Sequence, residues 1–249
     1  GPAIFAYADD DVSASRTVDA VYKQVVDARG AWNGRLWEPS EAIRHARANY
    51  IGRPYVLADT QDNPGAGGAS DTVGVLEALV AERADDAIFG VVYDPQAARA
   101  AHSGGVGAEL SLSLGAKSGQ AGQAPFRGLF TVEALSEGEF AGTGPMAIGV
   151  TFRMGLCAVL RIGGVKVLVG SARAQVKDQA IFRHIGLDPS AVRIVALKSS
   201  VHFRADFQAM AQDVLIVVSP GPNMADHLAM PYQHLRRGLL LTPDGPAFS

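Results

Sequence analysis

The stretch from Tyr55 to Arg83 constrains the fold of this chain most, because it has the pattern of a strand, a glycine-rich turn and a helix in succession. A short apolar run from Tyr55 to Ala58 ends at Asp59, which is typical of a strand buried in a sheet. The turn that follows contains three closely spaced glycines: Gly65, Gly67 and Gly68. Such a unit indicates an α/β protein, with the turn at the carboxyl end of the strand.

The residues after the glycines predict a helix over 71–83, with Ser70 or Asp71 as its cap. Backbone N–H groups of the turn then face the crevice beyond the strand, where an anionic or carbonyl oxygen is favoured. A Walker loop requires Lys and then Ser or Thr after its last glycine, whereas Ala-Ser-Asp follows Gly68. Asp62 also places negative charge where a phosphate would bind. An enzyme that binds a phosphate-containing ligand through this loop is therefore the weaker interpretation. It also stays open whether the loop is only a tight strand-to-helix connection that binds no ligand.

Composition narrows the class of protein further. The chain has 249 residues, of which 48% are hydrophobic and only 7% aromatic, with 28 glycines. These proportions favour an α/β core built from small aliphatic residues. The formal net charge of −3 is spread along the chain, which predicts no nucleic-acid surface and no polybasic membrane anchor. We expect peptides or small molecules as partners, and homo-oligomerisation stays open.

The chain has the pattern of a cytoplasmic protein. Cys157 is its only cysteine and lies in an apolar stretch, so it predicts a buried core residue rather than a disulfide. No apolar run reaches the length of a membrane span, and no signal peptide opens the sequence. The first residues, Gly1-Pro2, lead without a methionine into a predicted strand over 3–7. We expect them to be a protease-cleavage scar on a fragment of a longer protein.

The order of elements predicts a mixed α/β fold, a sheet flanked by helices with an inserted antiparallel β-meander. The α/β frame covers about residues 1–115 and 175–220, the meander about 126–174, and a loop-rich tail 220–249. In the meander the apolar period becomes two, and Gly163-Gly164 predicts a hairpin. The other predicted helices lie at residues 11–30, 39–50, 94–102, 178–185 and 201–211. The other predicted strands lie at residues 88–93, 109–114, 130–134, 147–152, 156–162, 165–171, 192–197 and 214–218.

A second group of polar side chains follows the predicted strand over 192–197. Four of them lie within seven residues: Lys198, Ser199, His202 and Arg204. Ser199 or Ser200 caps the predicted helix there. An ammonium, an imidazole and a guanidinium this close together can bind a carboxylate and assist proton transfer. The alternative is that His202 pairs with Asp206 four residues later while Arg204 is solvated.

The sequence lacks other catalytic signatures. It contains no G-x-S-x-G nucleophile motif, which gives no basis for a serine hydrolase of that type. Its six histidines form no H-E-x-x-H motif and no close pattern of histidine and aspartate ligands. We therefore expect no metal site supplied by this chain alone.

Several blocks in one order resemble the C-terminal domain of the microcystinase C (MlrC) family of metallopeptidases over nearly the whole chain. They are ADTQDNPGAGGASDT, MGLCAVLRIGG, VLVGSARAQVKD, KSSVHFRADF and IVVSPGP. The resemblance implies a zinc-dependent hydrolase of peptide or amide bonds, typified by degradation of the linearised toxin microcystin. In that family the zinc ligands belong to an N-terminal domain, which this chain lacks. We therefore expect zinc in that missing domain, and the domain itself as the partner of this chain.

The resemblance also implies site residues, taken only at matching positions. They include His202 and Lys198 in a supporting catalytic role: in the intact enzyme we expect His202 or Lys198 to stabilise an oxyanion or hold a substrate carboxylate, and Arg204 to clamp or orient the glycine loop. If the strands before the two segments are parallel neighbours, their carboxyl ends open on one edge of the sheet and bring Asp62 and Asn63 toward Lys198 and His202. The residues implied in substrate binding are Asp62, Asn63, Gly65, Gly67, Gly68, Ser199 and Arg204. The family loop resembles D-N-P-G-G-G, whereas Ala66 separates the first two glycines here. The leading hypothesis is the C-terminal half of a zinc peptidase that closes the cleft; the alternative is a non-catalytic peptide- or small-molecule-binding module.

Overall fold

A computed structural model describes residues 3–32 and 34–248 of the chain. The predicted cleavage scar, Gly1-Pro2, lies outside the described residues. Of the described residues, those from 36 to 225 form one unit, and those before residue 36 and after residue 225 form another. The larger unit contains every residue that the sequence predicts to bind substrate or assist catalysis.

The strands and helices of the described residues alternate along most of the larger unit. The strands are β1 (Leu36–Trp37), β2 (Tyr55–Asp59), β3 (Ala87–Tyr93), β4 (Glu109–Leu114), β5 (Phe126–Ser136), β6 (Glu139–Ala141), β7 (Thr151–Arg153), β8 (Cys157–Ile162), β9 (Val165–Gly170), β10 (Ile194–Leu197) and β11 (Asp213–Val217). The helices are α1 (Asp11–Asp27), α2 (Pro39–Ala48), α3 (Gly74–Ala81), α4 (Pro95–Gly104), α5 (Ala180–Arg183) and α6 (Arg204–Phe207). Alternation of this kind produces a parallel sheet, because each helix returns the chain to the same end.

Nine of these strands form one mixed sheet in the order β1-β11-β2-β10-β3-β9-β8-β5-β4. From β1 to β9 neighbouring strands are parallel, and from β9 to β4 they are antiparallel. All five residues of β2 and all four of β10 are buried. Strands buried on both faces read as continuous apolar runs, which is why both were recognisable in the sequence.

The sheet is covered on both faces. Side chains of β2 alternate between two clusters, with Leu57 in one and Val56 in the other. Helices α2, α3 and α4 pack in the first cluster, whereas α5 and α6 contribute to the second. The predicted fold class, a mixed α/β sheet flanked by helices, is confirmed.

The antiparallel strands confirm the two-residue apolar period predicted for about residues 126–174. They are not an insertion separate from the main sheet, however. Strands β5, β8 and β9 are antiparallel, and β8 and β9 are joined at Gly163-Gly164, as predicted. They continue the main sheet, because β9 also pairs in parallel with β3. The strand predicted over 147–152 is largely wrong, since residues 146–149 form a turn and only β7 pairs, with β6, in a separate two-stranded sheet.

Two predicted helices are shorter than their apolar patterns suggest, and their predicted caps are wrong. Helix α3 begins at Gly74 after an N-cap at Val73 that has no side-chain hydrogen bond. Asp71 does not cap it, because its carboxylate accepts hydrogen bonds from the backbone of Lys117 and Ser118. Helix α6 covers only Arg204–Phe207, again without a side-chain cap. Serine and aspartate side chains cap a helix only where tertiary partners do not compete for them.

The smaller unit departs most from expectation. The strand predicted over 3–7 is wrong, because these residues pair with no strand in the described part of the chain. Helix α1 is present, and its N-cap Asp10 accepts from the backbone N–H of Ser13 at 2.8 Å, but none of its residues is buried. As far as residue 248, the predicted loop-rich tail contains one short 3-10 turn, His227–Ala229, and an isolated bridge. Among the described helices, none combines the length and apolar character needed to cross a bilayer.

Candidate functional site

The two segments singled out in the sequence meet at one edge of the sheet. Strands β2 and β10 are parallel neighbours, with Ala58 opposite Leu197. Their carboxyl ends therefore open on the same side, which is where ligands bind in open α/β sheets. The glycine loop leaves β2 there, and the segment beginning at Lys198 leaves β10. The predicted convergence of these two connections is confirmed.

Lys198 joins the two connections through a buried group of charges. Its side chain is fully buried, and Nζ lies 2.8 Å from Asp59 Oδ2 and 2.9 Å from Asp62 Oδ2. Nζ also donates to Thr72 Oγ1 at 2.9 Å. An ammonium has three hydrogens to donate, so these acceptors use its full capacity. Lys198 therefore points inward, away from any substrate in the crevice.

The two carboxylates beside Lys198 respond differently to burial. Burial raises the pKa of Asp59, and the nearby Lys198 ammonium offsets this only in part. Burial also disfavours the charge of Asp62, but Lys198 and the N–H groups of Thr72 and Ser70 hold the pKa of Asp62 below its usual value. For Lys198, burial opposes the charged form, yet the two aspartates raise its pKa. Lys198 thus lies between two carboxylates, of which Asp62 is the one whose charged form its surroundings favour.

The glycine loop folds around the carboxylate of Asp62. Oδ1 accepts from the Ser70 N–H at 2.8 Å, and Oδ2 accepts from the Thr72 N–H at 2.8 Å and from Thr72 Oγ1 at 2.9 Å. The sequence predicted that the N–H groups of this loop face a ligand. That prediction is wrong for Ser70 and Thr72, whose N–H groups bind a side chain of the loop itself. Since Asp62 occupies this cradle, the geometry gives no support to a phosphate site.

Asn63 likewise accepts hydrogen bonds from backbone N–H groups in the rest of the turn. Its Oδ1 accepts from the Gly65 N–H at 2.9 Å, and its carbonyl accepts from the N–H groups of Ala66 and Gly68. Its Nδ2 donates to Ser200 Oγ at 3.0 Å, across to the second connection. Asn63 is buried, so its polar groups bind within the fold and hold the loop in shape.

Two glycines of the loop are required by its path. Gly67 has a left-handed φ of 90°, which favours glycine. A Cβ at Gly68 would lie 2.8 Å from the backbone of Asp62 and Asn63. Ala66 lies in a 3-10 turn, Pro64–Ala66, and its φ is not positive. The departure from D-N-P-G-G-G therefore leaves the turn unstrained at that position.

The second connection has one buried and one exposed side. Ser199 is buried, and its Oγ accepts from Gln175 Nε2 at 3.4 Å. Ser200, which was predicted only as a cap, instead accepts from Thr60 Oγ1 at 2.7 Å. His202 is exposed, and its Nδ1 lies 3.0 Å from Gln175 Nε2. The imidazole of His202 is therefore open to solvent on the exposed side of this segment.

The alternative arrangement, in which His202 pairs with Asp206 and Arg204 is solvated, differs from what the structure shows. Asp206 does not pair with His202, because its Oδ2 accepts from the Gln179 N–H. Arg204 donates to Gln208 at 3.3 Å rather than to the glycine loop. The arginine that contacts the loop is Arg173, whose Nε donates to the Ala69 carbonyl at 3.1 Å.

Sequence reasoning missed Arg173 and Gln175, although both lie in a block that resembles the family. Arg173 also stacks over the ring of Tyr93 at 4.4 Å. Gln175 lies against Gly65, where a Cβ would meet its amide at 2.6 Å. A glutamine in a segment without regular structure carries no signal for chemistry, so only the folded arrangement reveals it.

The residues of this site do not fit a metal ion. Within the ranges that the structure describes, no group of three or more histidine, cysteine, aspartate or glutamate side chains could hold one. The closest carboxylates, Asp59 and Asp62, already bind the Lys198 ammonium. The expected zinc and the domain that would bind it stay predictions.

A family model shows which family this chain belongs to, and two further comparisons show similar proteins. The family model described as MlrC C-terminus matches residues 57–234. Microcystinase C of a Sphingomonas species is 28% identical over 177 residues, which are 70% of this chain and 34% of that protein. A crystal structure of a candidate metallopeptidase from Mesorhizobium sp. BNC1 has a TM-score of 0.73 and 24% sequence identity to this chain. The match covers 90% of this chain and 44% of the chain in that crystal structure, and it shows that the two share a fold. The chain thus spans about a third of the curated relative and under half of the structural one.

Proposed function

The chain belongs to the MlrC C-terminus family, and we propose that it is the C-terminal part of a zinc-dependent peptidase or amidohydrolase. The relative named Microcystinase C supports hydrolysis as the reaction class. In this proposal an N-terminal domain holds the zinc, which would polarise the scissile carbonyl and activate water. This chain closes the cleft and binds the substrate at the carboxyl ends of β2 and β10.

The observation that carries the proposal is an exposed imidazole fixed beside a rigid, buried ion pair. His202 faces solvent, while Lys198 in the same connection is fully buried against Asp62. A donor held on a fixed support can stabilise negative charge on a substrate oxygen without reorganising during the reaction. We therefore assign substrate contact to His202, and Lys198 becomes a positioning residue.

The proposed binding surface is smaller than the motif itself. Asp62, Asn63 and Ser199 are buried and bonded within the fold. Gly65 and Gly67 are exposed beside His202's anchor, Gln175, and they offer a path along which a peptide backbone can approach closely. The substrate class that suits this surface is an extended peptide or a small amide with an oxygen near His202.

The proposal is tested by comparing this chain with a longer protein that also contains the proposed N-terminal domain. We expect the longer protein to contain stoichiometric zinc and to hydrolyse a linear peptide, with activity lost on chelation and restored by zinc. We expect the 249-residue chain alone to show neither zinc nor hydrolysis. Stoichiometric zinc in this chain, measured by plasma mass spectrometry, or hydrolysis by it would overturn the proposal. A zinc-free longer protein with full activity would do so as well.

A second candidate function is a non-catalytic module that binds peptides or small molecules. It is favoured by the internal bonding of Asp62, Asn63 and Lys198, because these groups provide stability but no reactive side chain. Peptide binding by the longer protein, seen by calorimetry, without hydrolysis at any zinc concentration would favour this candidate over the peptidase.

A further inference from the structure

We propose that Gln175 is a positioning residue that holds His202 as the tautomer protonated at Nε2. The Gln175 amide lies between the two connections, half-buried against the exposed face of Gly65. Its Nε2 lies 3.4 Å from Ser199 Oγ and 3.0 Å from His202 Nδ1. One amide nitrogen thus contacts both a buried hydroxyl and an exposed imidazole.

The donor capacity of the amide determines the state of the imidazole. A glutamine NH₂ group has two hydrogens to donate and no acceptor on its nitrogen. It directs one toward Ser199 Oγ and the other toward His202 Nδ1. Nδ1 must then accept, and a neutral imidazole that accepts at Nδ1 carries its proton on Nε2.

The proton on Nε2 decides what His202 offers to a ligand. Within residues 3–32 and 34–248, Nε2 has no hydrogen-bond partner, and the side chain is exposed. The neutral imidazole therefore presents its Nε2–H donor to solvent, and the lone pair on Nδ1 is already engaged by the Gln175 amide. This inference rests on the proposed function in one respect: it names a substrate carbonyl or carboxylate oxygen as the group that His202 meets there.

Heteronuclear NMR of the imidazole nitrogens tests the tautomer directly in this chain. The His202 signals are assigned by their loss in His202→Gln. At neutral pH we expect Nε2 to appear protonated and Nδ1 unprotonated. In Gln175→Glu a carboxylate oxygen faces Nδ1, so we expect the proton on Nδ1 instead. Gln208→Glu is the matched control, since it adds the same charge in the same segment but contacts Arg204, and we expect it to leave the tautomer unchanged.

Each outcome decides the inference separately from the proposed function. A wild-type His202 protonated at Nδ1 overturns it, and so does an identical signal in Gln175→Glu and Gln208→Glu. Gln175→Leu provides a second variant, because it leaves Nδ1 without a donor and should produce a mixture of tautomers. If the tautomers behave as expected but His202 substitution leaves hydrolysis by the longer protein unchanged, the inference about Gln175 stands and the proposed substrate contact of His202 fails. If the longer protein does not hydrolyse peptides at all, the proposed function fails while the tautomer result is unaffected.

Discussion

The two connections that meet at the carboxyl ends of β2 and β10 are built in opposite ways. The glycine loop turns its polar groups inward, where Ser70 and Thr72 bind the carboxylate of Asp62. The segment after β10 sends Lys198 inward to the same carboxylate but leaves His202 in solvent. The first connection is thus a support, and the second carries the group that can meet a ligand.

This difference shows that a glycine-rich loop beside a strand is not by itself a ligand site. In this chain the loop's glycines allow the backbone to pass close to Asp62 and Asn63 rather than close to a phosphate. A carboxylate from the loop occupies the cradle that an anion would fill in a nucleotide-binding loop. The buried charges then fix both connections relative to each other.

The largest expected effect comes from removing the shared cation. Lys198→Met leaves Asp59 and Asp62 buried without a counter-charge, and losing one partner of a buried charge pair typically costs about 3–5 kcal/mol. Urea denaturation should show this as a lower midpoint. The control is Lys166→Met, which removes a lysine paired with Glu133 at the surface and should change the free energy of unfolding by less than about 1 kcal/mol. Equal effects of the two substitutions would refute the support role of Lys198.

The two aspartates should differ from each other. Asp62→Asn removes a carboxylate that accepts from Ser70 and Thr72, and we expect a loss of about 1.5–3 kcal/mol. Asp59→Asn should cost less, because burial raises the pKa of Asp59 and so disfavours its charge already. Denaturation of both variants at neutral pH gives the comparison, and a larger loss for Asp59→Asn would contradict it.

The dependence on pH separates these aspartates by sign. The folded pKa of Asp62 is lowered, so its stabilising contribution is present above the unfolded value of 3.8 and is lost as pH falls through the folded pKa. The folded pKa of Asp59 is raised, so its contribution declines as pH rises from 3.8 to that higher pKa. Free energies of unfolding should be measured from below pH 3.8 up to neutral pH. Asp62→Asn should remove the loss of stability below pH 3.8, whereas Asp59→Asn should remove a slope of opposite sign above it.

Substitutions at two glycines of the loop should distinguish a position that stabilises the fold from one that contacts Gln175. Gly68→Ala places a methyl group against backbone, which cannot yield easily, and overpacking of this kind costs about 1–3 kcal/mol. Gly65→Ala meets only the Gln175 side chain, which can move. We expect Gly65→Ala to retain stability by thermal denaturation but to disturb the His202 tautomer by NMR. A reversed order of stability would place the rigid part of the loop elsewhere.

The fold was largely predictable from the sequence. Which residues of the site are bonded within the fold and which face solvent was not. Strands β2 and β10 were recognisable because burial on both faces makes them continuous apolar runs. The strand predicted over 3–7 failed because apolar sequence alone does not supply a neighbouring edge. Asp62 was predicted to bind substrate, and only the folded contacts show that its carboxylate is used by the loop. Gln175 gave no signal at all, since its role depends on three residues distant in sequence.

The prediction with the smallest effect concerns His184, a partly buried counterpart of the exposed His202. Its Nδ1 lies 2.7 Å from the Ile181 carbonyl, its ring stacks on Phe140, and its Nε2 is buried without a partner among the described residues. Burial lowers the pKa of His184, so stability should decrease as pH falls below the unfolded value of 6.5 toward the lower folded pKa. His184→Phe should remove this dependence in denaturation curves, and an unchanged slope would contradict the prediction.

The claim that the second connection carries the ligand-facing group is tested by turnover in a longer protein that includes the proposed N-terminal domain. The measurement is kcat on a linear peptide for His202→Ala, with zinc content and thermal stability matched to the parent and His234→Ala as an exposed-histidine control. Loss of a transition-state donor predicts a decrease of roughly 10²- to 10³-fold for His202→Ala and no change for the control. A kcat for His202→Ala equal to that of the parent would contradict the account.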